Sequence, residues 1–234
     1  MTARSRKRFY RNVEVMGEGP YGIALDGRPL RTPLKHDLLL PTAGLAEAVA
    51  AEWAAQGERV DPWQMPLTKL AYTAIDRVVD SETRIIDELL EYAGADLVCY
   101  RAAEPESLIN RQGEFWDPIL SWAEETPGVR LFAVQGIVHK PQSPEALDAV
   151  RRYLHQFDAM HLCALHNLTT LTGSVLITLA MEKNFLEPER AWLTVHIDED
   201  WQAERWGWDE EAMERRARRK QEFDASVRFL TLLR

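Results

Sequence analysis

Apolar positions recur at helical spacing along most of this chain, but not at its start. Phe9–Val15 and Tyr21–Leu25 are short runs rich in aromatic and β-branched residues, and they predict strands. Asp26-Gly27 then separates Tyr21–Leu25 from a returning Arg28–Thr32, and this residue pair closes two-residue hairpins. Leu38–Leu40, stopped by Pro41, predicts a further short strand. From about Ala43 to Gln56 the period lengthens: Leu45, Val49 and Trp53 fall on one helical face, with Gly57 at the end. Asp61-Pro62 and Met65-Pro66 predict an extended link, because the residue before a proline avoids helical angles. A second helix over about Thr68–Val79 offers Leu70, Ala71, Ala74, Ile75 and Val78 to a core.

Past residue 80 the helical period takes over. Ile85, Ile86, Leu89, Leu90, Ala93 and Leu97 keep it, as do Trp116, Ile119, Leu120 and Ala123. Val129–Val138 is the exception, a strand or extended connection closed by Pro141 and Pro144. Further helices are predicted over 145–156, 158–172, 174–183 and 188–197. The last helix carries Glu211 and Arg215, then Glu214 and Arg218, in the favourable i,i+4 order, with Phe223, Val227 and Leu230 on its apolar side. Its basic run, Arg215 to Lys220, is expected to be a solvated, internally paired face. The fold class that follows is α+β. A small N-terminal domain of antiparallel strands with helices spans residues 1–80, opening on a disordered basic arm over 1–8. A larger all-helical bundle domain spans 81–234.

One segment breaks the ordinary amphipathic rhythm. Between Asp198 and Glu211, three tryptophans and seven carboxylates share fourteen residues. Trp removes a large apolar surface from water and carboxylates resist burial, so this segment must present two different faces. Residues 198–206 suit one helix, Gly207 a left-handed stop, and Asp209 the cap of the next helix. Trp208 and Met213 would then stand at the two positions of a hydrophobic staple. Glu199, Gln202 and Trp206 share a stripe from which Glu204 is displaced. A buried helix corner with a solvated acidic face and a docking surface of aromatic anchors both fit this pattern.

Composition narrows the classes. A hydrophobic content of 46% is ample for a core, and a net charge of −9 disfavours nucleic acid or an anionic membrane as the main partner. The longest apolar stretch, Leu162–Met181, is broken by His166 and Asn167, so no membrane insertion is expected. Met1–Arg11 is basic without an apolar core, unlike a secretory signal. Cys99 and Cys163, far apart, point to a reducing compartment. Catalytic motifs are scarce. Gly17-Glu18-Gly19-Pro20-Tyr21-Gly22 has the letters of a dinucleotide loop, but a strand and a turn follow where a helix is required. His155, His161, Cys163 and His166 cluster without completing a zinc set, leaving an enzyme using this region as a weaker alternative. No cofactor, metal or small-molecule substrate is expected.

Several short motifs occur in order along the chain. They are Ala51-Glu52-Trp53, Met65-Pro66-Leu67-Thr68, Thr73-Ala74-Ile75-Asp76, Asp96-Leu97-Val98-Cys99-Tyr100-Arg101, Trp116-Asp117-Pro118, Gly173-Ser174 and Trp201-Gln202-x-Glu204-x-Trp206-Gly207. Together, over residues 8 to about 230, they resemble the assembly chaperone of the F-type ATP synthase that escorts the α subunit in mitochondria and α-proteobacteria. The resemblance implies a non-enzymatic protein that shields the β-facing surface of the free F1-ATPase α subunit until β replaces it. It also implies partner-binding roles for Glu199, Gln202, Glu204 and Trp206. Trp53 belongs to the same pattern, but its place on the Leu45/Val49 face argues for packing, and Asp76, Trp201 and Gly207 are likewise expected to be structural. A bacterial cytoplasm is the expected compartment, or the mitochondrial matrix if the source is eukaryotic. An acidic helical adaptor for another basic or aggregation-prone protein is the alternative, which salt sensitivity would distinguish.

Overall fold

The Asp26-Gly27 signal becomes a tight turn in the computed structural model, which describes residues 6–136, 138 and 140–234. Strands β2 (Val13–Met16), β3 (Gly22–Leu25) and β4 (Arg28–Pro29) form an antiparallel ladder, with Val13 opposite Leu25 and Leu25 opposite Arg28. Asp26 and Gly27 hold φ of 49° and 73°, the positive angles that a hairpin of this type needs. The Asp26 carboxylate accepts from the backbone N–H groups of Asn12 at 2.8 Å and Arg11 at 3.1 Å, which lowers its pKa.

Helix α1 (Ala43–Ala54) is capped by Thr42, whose Oγ1 accepts from Leu45 N at 3.2 Å, and it buries Leu45, Val49 and Trp53 as the spacing predicts. It ends before Gly57, at Ala55, in ordinary right-handed geometry. The expected extended link contains two features that the prolines did not announce. Arg59–Val60 forms β5, paired antiparallel with β1 (Arg6–Lys7). A 3₁₀ turn over Pro62–Gln64, capped by Asp61, follows. Helix α2 (Pro66–Thr73) then runs into a π-helical turn, Ala74–Val78.

The basic arm expected over residues 1–8 needs correction at its end; residues 1–5 lie outside those described. Arg6 and Lys7 are paired in a strand, and Arg8 donates from its backbone to Glu58 O at 2.8 Å. The Arg8 guanidinium also donates to Ala54 O at 3.3 Å, in the last turn of α1, and to Gln56 O just beyond it. A cation is favourable there, against the exposed carbonyls of a helix C-terminus.

Two compact units result. One comprises Met1–Glu82, Asp158–Ala164 and Ala225–Arg234; the other comprises Thr83–Phe157 and Leu165–Asp224. The two late segments assigned by periodicity to the bundle therefore group with the strand-containing unit. Within that unit Cys163 Sγ sits 3.5 Å from Leu70 O, and Thr42 Oγ1 donates to Leu232 O at 2.5 Å.

The second unit is helical, but not entirely so. Helix α3 (Glu82–Gly94) precedes β6 (Tyr100–Arg101), and helix α4 (Glu106–Glu125) precedes β7 (Val134–Gln135). β6 and β7 pair in parallel, so the expected all-helical domain contains one short ladder. Of the connection predicted over 129–138, only Val134–Gln135 is strand, and Ile137 lies outside the described residues. Helices α5 (Pro144–Leu154), α6 (Ala159–Thr172), α7 (Val175–Glu182), α8 (Pro188–Val195), α9 (Ile197–Trp206) and α10 (Glu210–Leu232) complete the chain. Trp116 of α4 is fully buried, and its indole donates to Thr194 O at 3.0 Å. Ile119, Leu168, Leu179 and Phe223 are buried in the same unit.

Candidate functional site

The tryptophan corner is the place where α9 meets α10. Trp201 is 9% exposed, with the Arg205 guanidinium 3.6 Å above its ring and the Trp206 ring edge-on at 5.9 Å. Its environment is that of a packed residue, and Trp206, 74% exposed, is its opposite. Gly207 ends α9 at φ 90° and ψ 163°; the positive φ matches expectation, but ψ is far from the left-handed helical value. Asp209 caps α10 by accepting from Ala212 N at 3.2 Å. Trp208 and Met213 are both about half exposed, and the Trp208 ring faces the Arg216 guanidinium at 5.4 Å.

A cleft of about 420 Å³ lies at this corner, lined by Glu199, Gln202 and Trp206 from α9, by Trp208, and by Arg215 and Arg216 from α10. The helical stripe Glu199–Gln202–Trp206 is therefore assembled on one wall, as its spacing requires. Glu204 is turned elsewhere: both its oxygens lie 2.9 Å from Arg111 Nη1. The other α9 acids are also engaged. Asp198 accepts from Gln112 Nε2 at 2.7 Å, and Asp200 grips Arg216, with one of the two contacts at 3.2 Å.

Glu199 is the exception. It is 66% exposed, and its nearest cationic candidate, His196 Nε2, is 3.9 Å away. His196 is buried and its Nδ1 lies 2.7 Å from Trp192 O; a carbonyl only accepts, so Nδ1 carries the proton. Burial, and then the Arg216 charge, pull the His196 pKa down against the Trp192 bond and the nearby carboxylates. The ring is thus neutral near pH 7 and offers Glu199 no strong cationic partner.

The basic run of α10 supplies what the acidic sequence concealed. Arg216 reaches Asp200, Arg219 donates to Leu171 O at 2.6 Å, and Lys220 contacts Glu189 at 2.9 Å and Asp224 at 2.6 Å. The expected Glu211–Arg215 pair forms at 3.1 Å. Most of these side chains hold helices together rather than forming a purely solvated face, and the cleft is of mixed charge. One signal was available in the sequence: Asp200 and Arg216 lie at equal distances either side of Trp208.

Residues expected to be structural find physical partners. Asp76 accepts from Thr32 Oγ1 at 2.5 Å, Leu34 N at 3.1 Å and His36 Nδ1 at 3.0 Å, and these contacts lower its pKa against the effect of burial. Trp53 packs against Tyr10 with ring centroids 5.6 Å apart, and Tyr10 donates to Trp53 O at 2.7 Å. Glu52, a motif residue with no role evident from its spacing, accepts from Leu67 N and Thr68 N at 2.8 Å and so caps α2; burial raises its pKa against these bonds. Asp96 accepts from Val98 N at 3.2 Å and Leu176 N at 3.1 Å, while Ser174 Oγ caps α7 through Ile177 N. Asp96 is fully buried, and burial pushes its carboxyl up to about 6.

The histidine–cysteine cluster does not assemble. His161 pairs with Asp158 and His166 with Glu88, each at 2.9 Å, while burial pushes the Cys163 thiol up to about 12. Among the described residues no group of three His, Cys, Asp or Glu is placed to hold a metal. Nor, among them, is any helix long and apolar enough to cross a membrane.

Exposed tryptophans beside Glu199 and the cleft arginines give this corner the mix of aromatic and polar side chains that protein interfaces favour. Comparison with known proteins is specific. Residues 7–124 match the ATP12 chaperone protein family. Protein atp12, mitochondrial, from Schizosaccharomyces pombe is 27% identical over 224 residues, covering 90% of this chain and 77% of that protein. The crystal structure of Atp12 from Paracoccus denitrificans superposes with a TM-score of 0.93 at 41% identity, covering 98% and 99% of the two chains. A crystal structure from Agrobacterium tumefaciens gives 0.92 at 43% identity, covering 97% and 86%. The chain belongs to the ATP12 chaperone family, and its function is that of a chaperone in ATP synthase assembly.

Proposed function

We propose that this chaperone shields the β-facing surface of the free F1 α subunit through the α9–α10 cleft, until the β subunit displaces it. The observation that carries this reading is Trp206, 74% exposed beside Glu199, whose side chain has no strong partner. An α subunit awaiting β exposes apolar surface meant for an obligate interface, and such surface aggregates. Aromatic anchors cover it, while rim charges provide orientation and a contact that can be exchanged. The Arg215 and Arg216 side chains in the cleft argue against the alternative of an acidic adaptor for basic proteins, because such a partner would meet cations here. Higher identity to bacterial structures than to the fission-yeast protein favours a bacterial cytoplasm as the compartment.

Paired measurements on Glu199→Lys and Glu204→Lys test the surface. Glu199→Lys should change stability by only about 0.5 kcal/mol, as substitutions on exposed surface do. It should nonetheless fail to keep isolated α soluble, a binding loss of roughly 2–5 kcal/mol for a partly desolvated charge contact. Glu204→Lys additionally breaks the Arg111 pair, costing about 1 kcal/mol of stability. Full protection of α by both variants would show that the corner is not the docking surface.

A further inference from the structure

A second cleft, of about 530 Å³, lies wholly within the strand-containing unit and is unrelated to the α9–α10 corner. Its apolar lining includes Leu34, Val60, Met65 and Trp53. Leu34, in this lining, is 62% exposed, a large apolar side chain left in water. The Trp53 Nε1–H is buried with no acceptor among the described residues, an unmet donor on a lining residue.

Charge around this cleft is opposite in sign to that of the protein. Lys69 and Arg77 line it and are exposed, and among the described residues neither has a carboxylate partner. Asp76 is the one acid in the lining, and both its oxygens are already filled by Thr32, Leu34 and His36. Tyr72 adds a hydroxyl whose pKa is raised by burial and then by Asp76, so it remains a neutral donor. The cleft therefore combines an apolar floor, one phenolic donor and two cations against the single Asp76 carboxylate, on a chain whose net charge is −9.

We infer that this cleft is a second client-binding site, taking an extended peptide segment in which a bulky apolar side chain adjoins a Glu or Asp. The apolar side chain fills the pocket beside Leu34 and Met65, and the carboxylate meets Lys69 and Arg77. A peptide is the occupant because the protein is a chaperone, and the size matches a single large side chain with its flanking backbone. The inference does not depend on which surface of which subunit meets the α9–α10 cleft.

Fluorescence anisotropy with the full chain and blocked, labelled nonapeptides tests it. The probe carries a central Phe-Glu pair within Gly and Ser; controls carry Phe-Lys or Ala-Glu. The Phe-Glu peptide should bind at least tenfold more tightly than either control. Lys69→Glu with Arg77→Glu should weaken it at least tenfold at an unchanged unfolding midpoint, since both residues are exposed. In ¹⁵N spectra the Trp53 indole resonance, assigned by its loss in Trp53→Phe, should shift on titration. Equal binding of the Phe-Lys peptide, indifference to the double substitution, or displacement by dodecanoate at concentrations below those needed of unlabelled Phe-Glu peptide would each overturn the proposal. The assay contains no α subunit, so its outcome is separate from that of the Glu199 test.

Discussion

Replacing Asp200 by Asn removes the charge that Arg216 grips while nearly preserving the shape of the side chain. The two side chains are 16% and 19% exposed, and the contact measured at 3.2 Å corresponds to a gross attraction of about 5 kcal/mol at an effective dielectric near 20. Desolvation of both groups cancels part of that attraction in the parent. The variant, however, leaves a mostly buried guanidinium without its counter-charge, so the loss should be about 2–4 kcal/mol. Glu211 and Arg215, on the same helix and 3.1 Å apart, are 75% and 58% exposed. Glu211→Gln should accordingly cost about 0.3–0.5 kcal/mol, because water already solvates both charges. Urea unfolding of the two variants beside the parent measures the difference. A second readout is His196, whose pKa the Asp200 charge raises and the Arg216 charge lowers. Its titration, followed by NMR, should move further down in Asp200→Asn and stay put in Glu211→Gln. Equal stability losses in the two variants, or an upward shift of His196, would show that burial does not set the worth of these pairs.

Three further outcomes are expected. Trp53→Ala should lower stability by about 3–5 kcal/mol, as large-to-small core changes do. Trp53→Phe should cost less than about 2 kcal/mol, since it removes the unmet indole donor; thermal unfolding separates the two. Asp96 binds its proton more tightly in the fold, at about 6 against an ordinary 3.8, so stability should fall as pH rises through that window, by about 3 kcal/mol. Asp96→Asn should flatten that part of the stability–pH profile; an unchanged slope would assign it to other groups. Gly207→Ala should cost about 1–3 kcal/mol through backbone strain alone, because an added Cβ meets no atom within 4 Å while φ is +90°. A midpoint equal to the parent's would mean that the corner relaxes freely.

Local chemistry was legible in the chain itself. Asp26-Gly27 specified the hairpin because few residue pairs tolerate positive φ at both turn positions. The four-residue spacing of Leu45, Val49 and Trp53 specified the buried face of α1, and Asp209 the start of α10. Such features depend on neighbours within a turn or two, which spacing reports directly. The ordered motifs likewise carried the family, although not the reasons for the motif residues. Only tertiary structure showed Glu52 capping α2 and Asp96 meeting the first turn of α7, because those partners are distant in sequence. It also decided the fate of the charges. Asp198, Asp200 and Glu204 belong to the same acidic segment as Glu199, yet each is taken up by a basic or amide group from another helix. A carboxylate's availability is set by what packs against it, and helical periodicity carries no information about that. The strand formed by Arg6 and Lys7 follows the same logic: two residues gain a ladder only when β5 is brought alongside, and nothing in a basic arm encodes that approach.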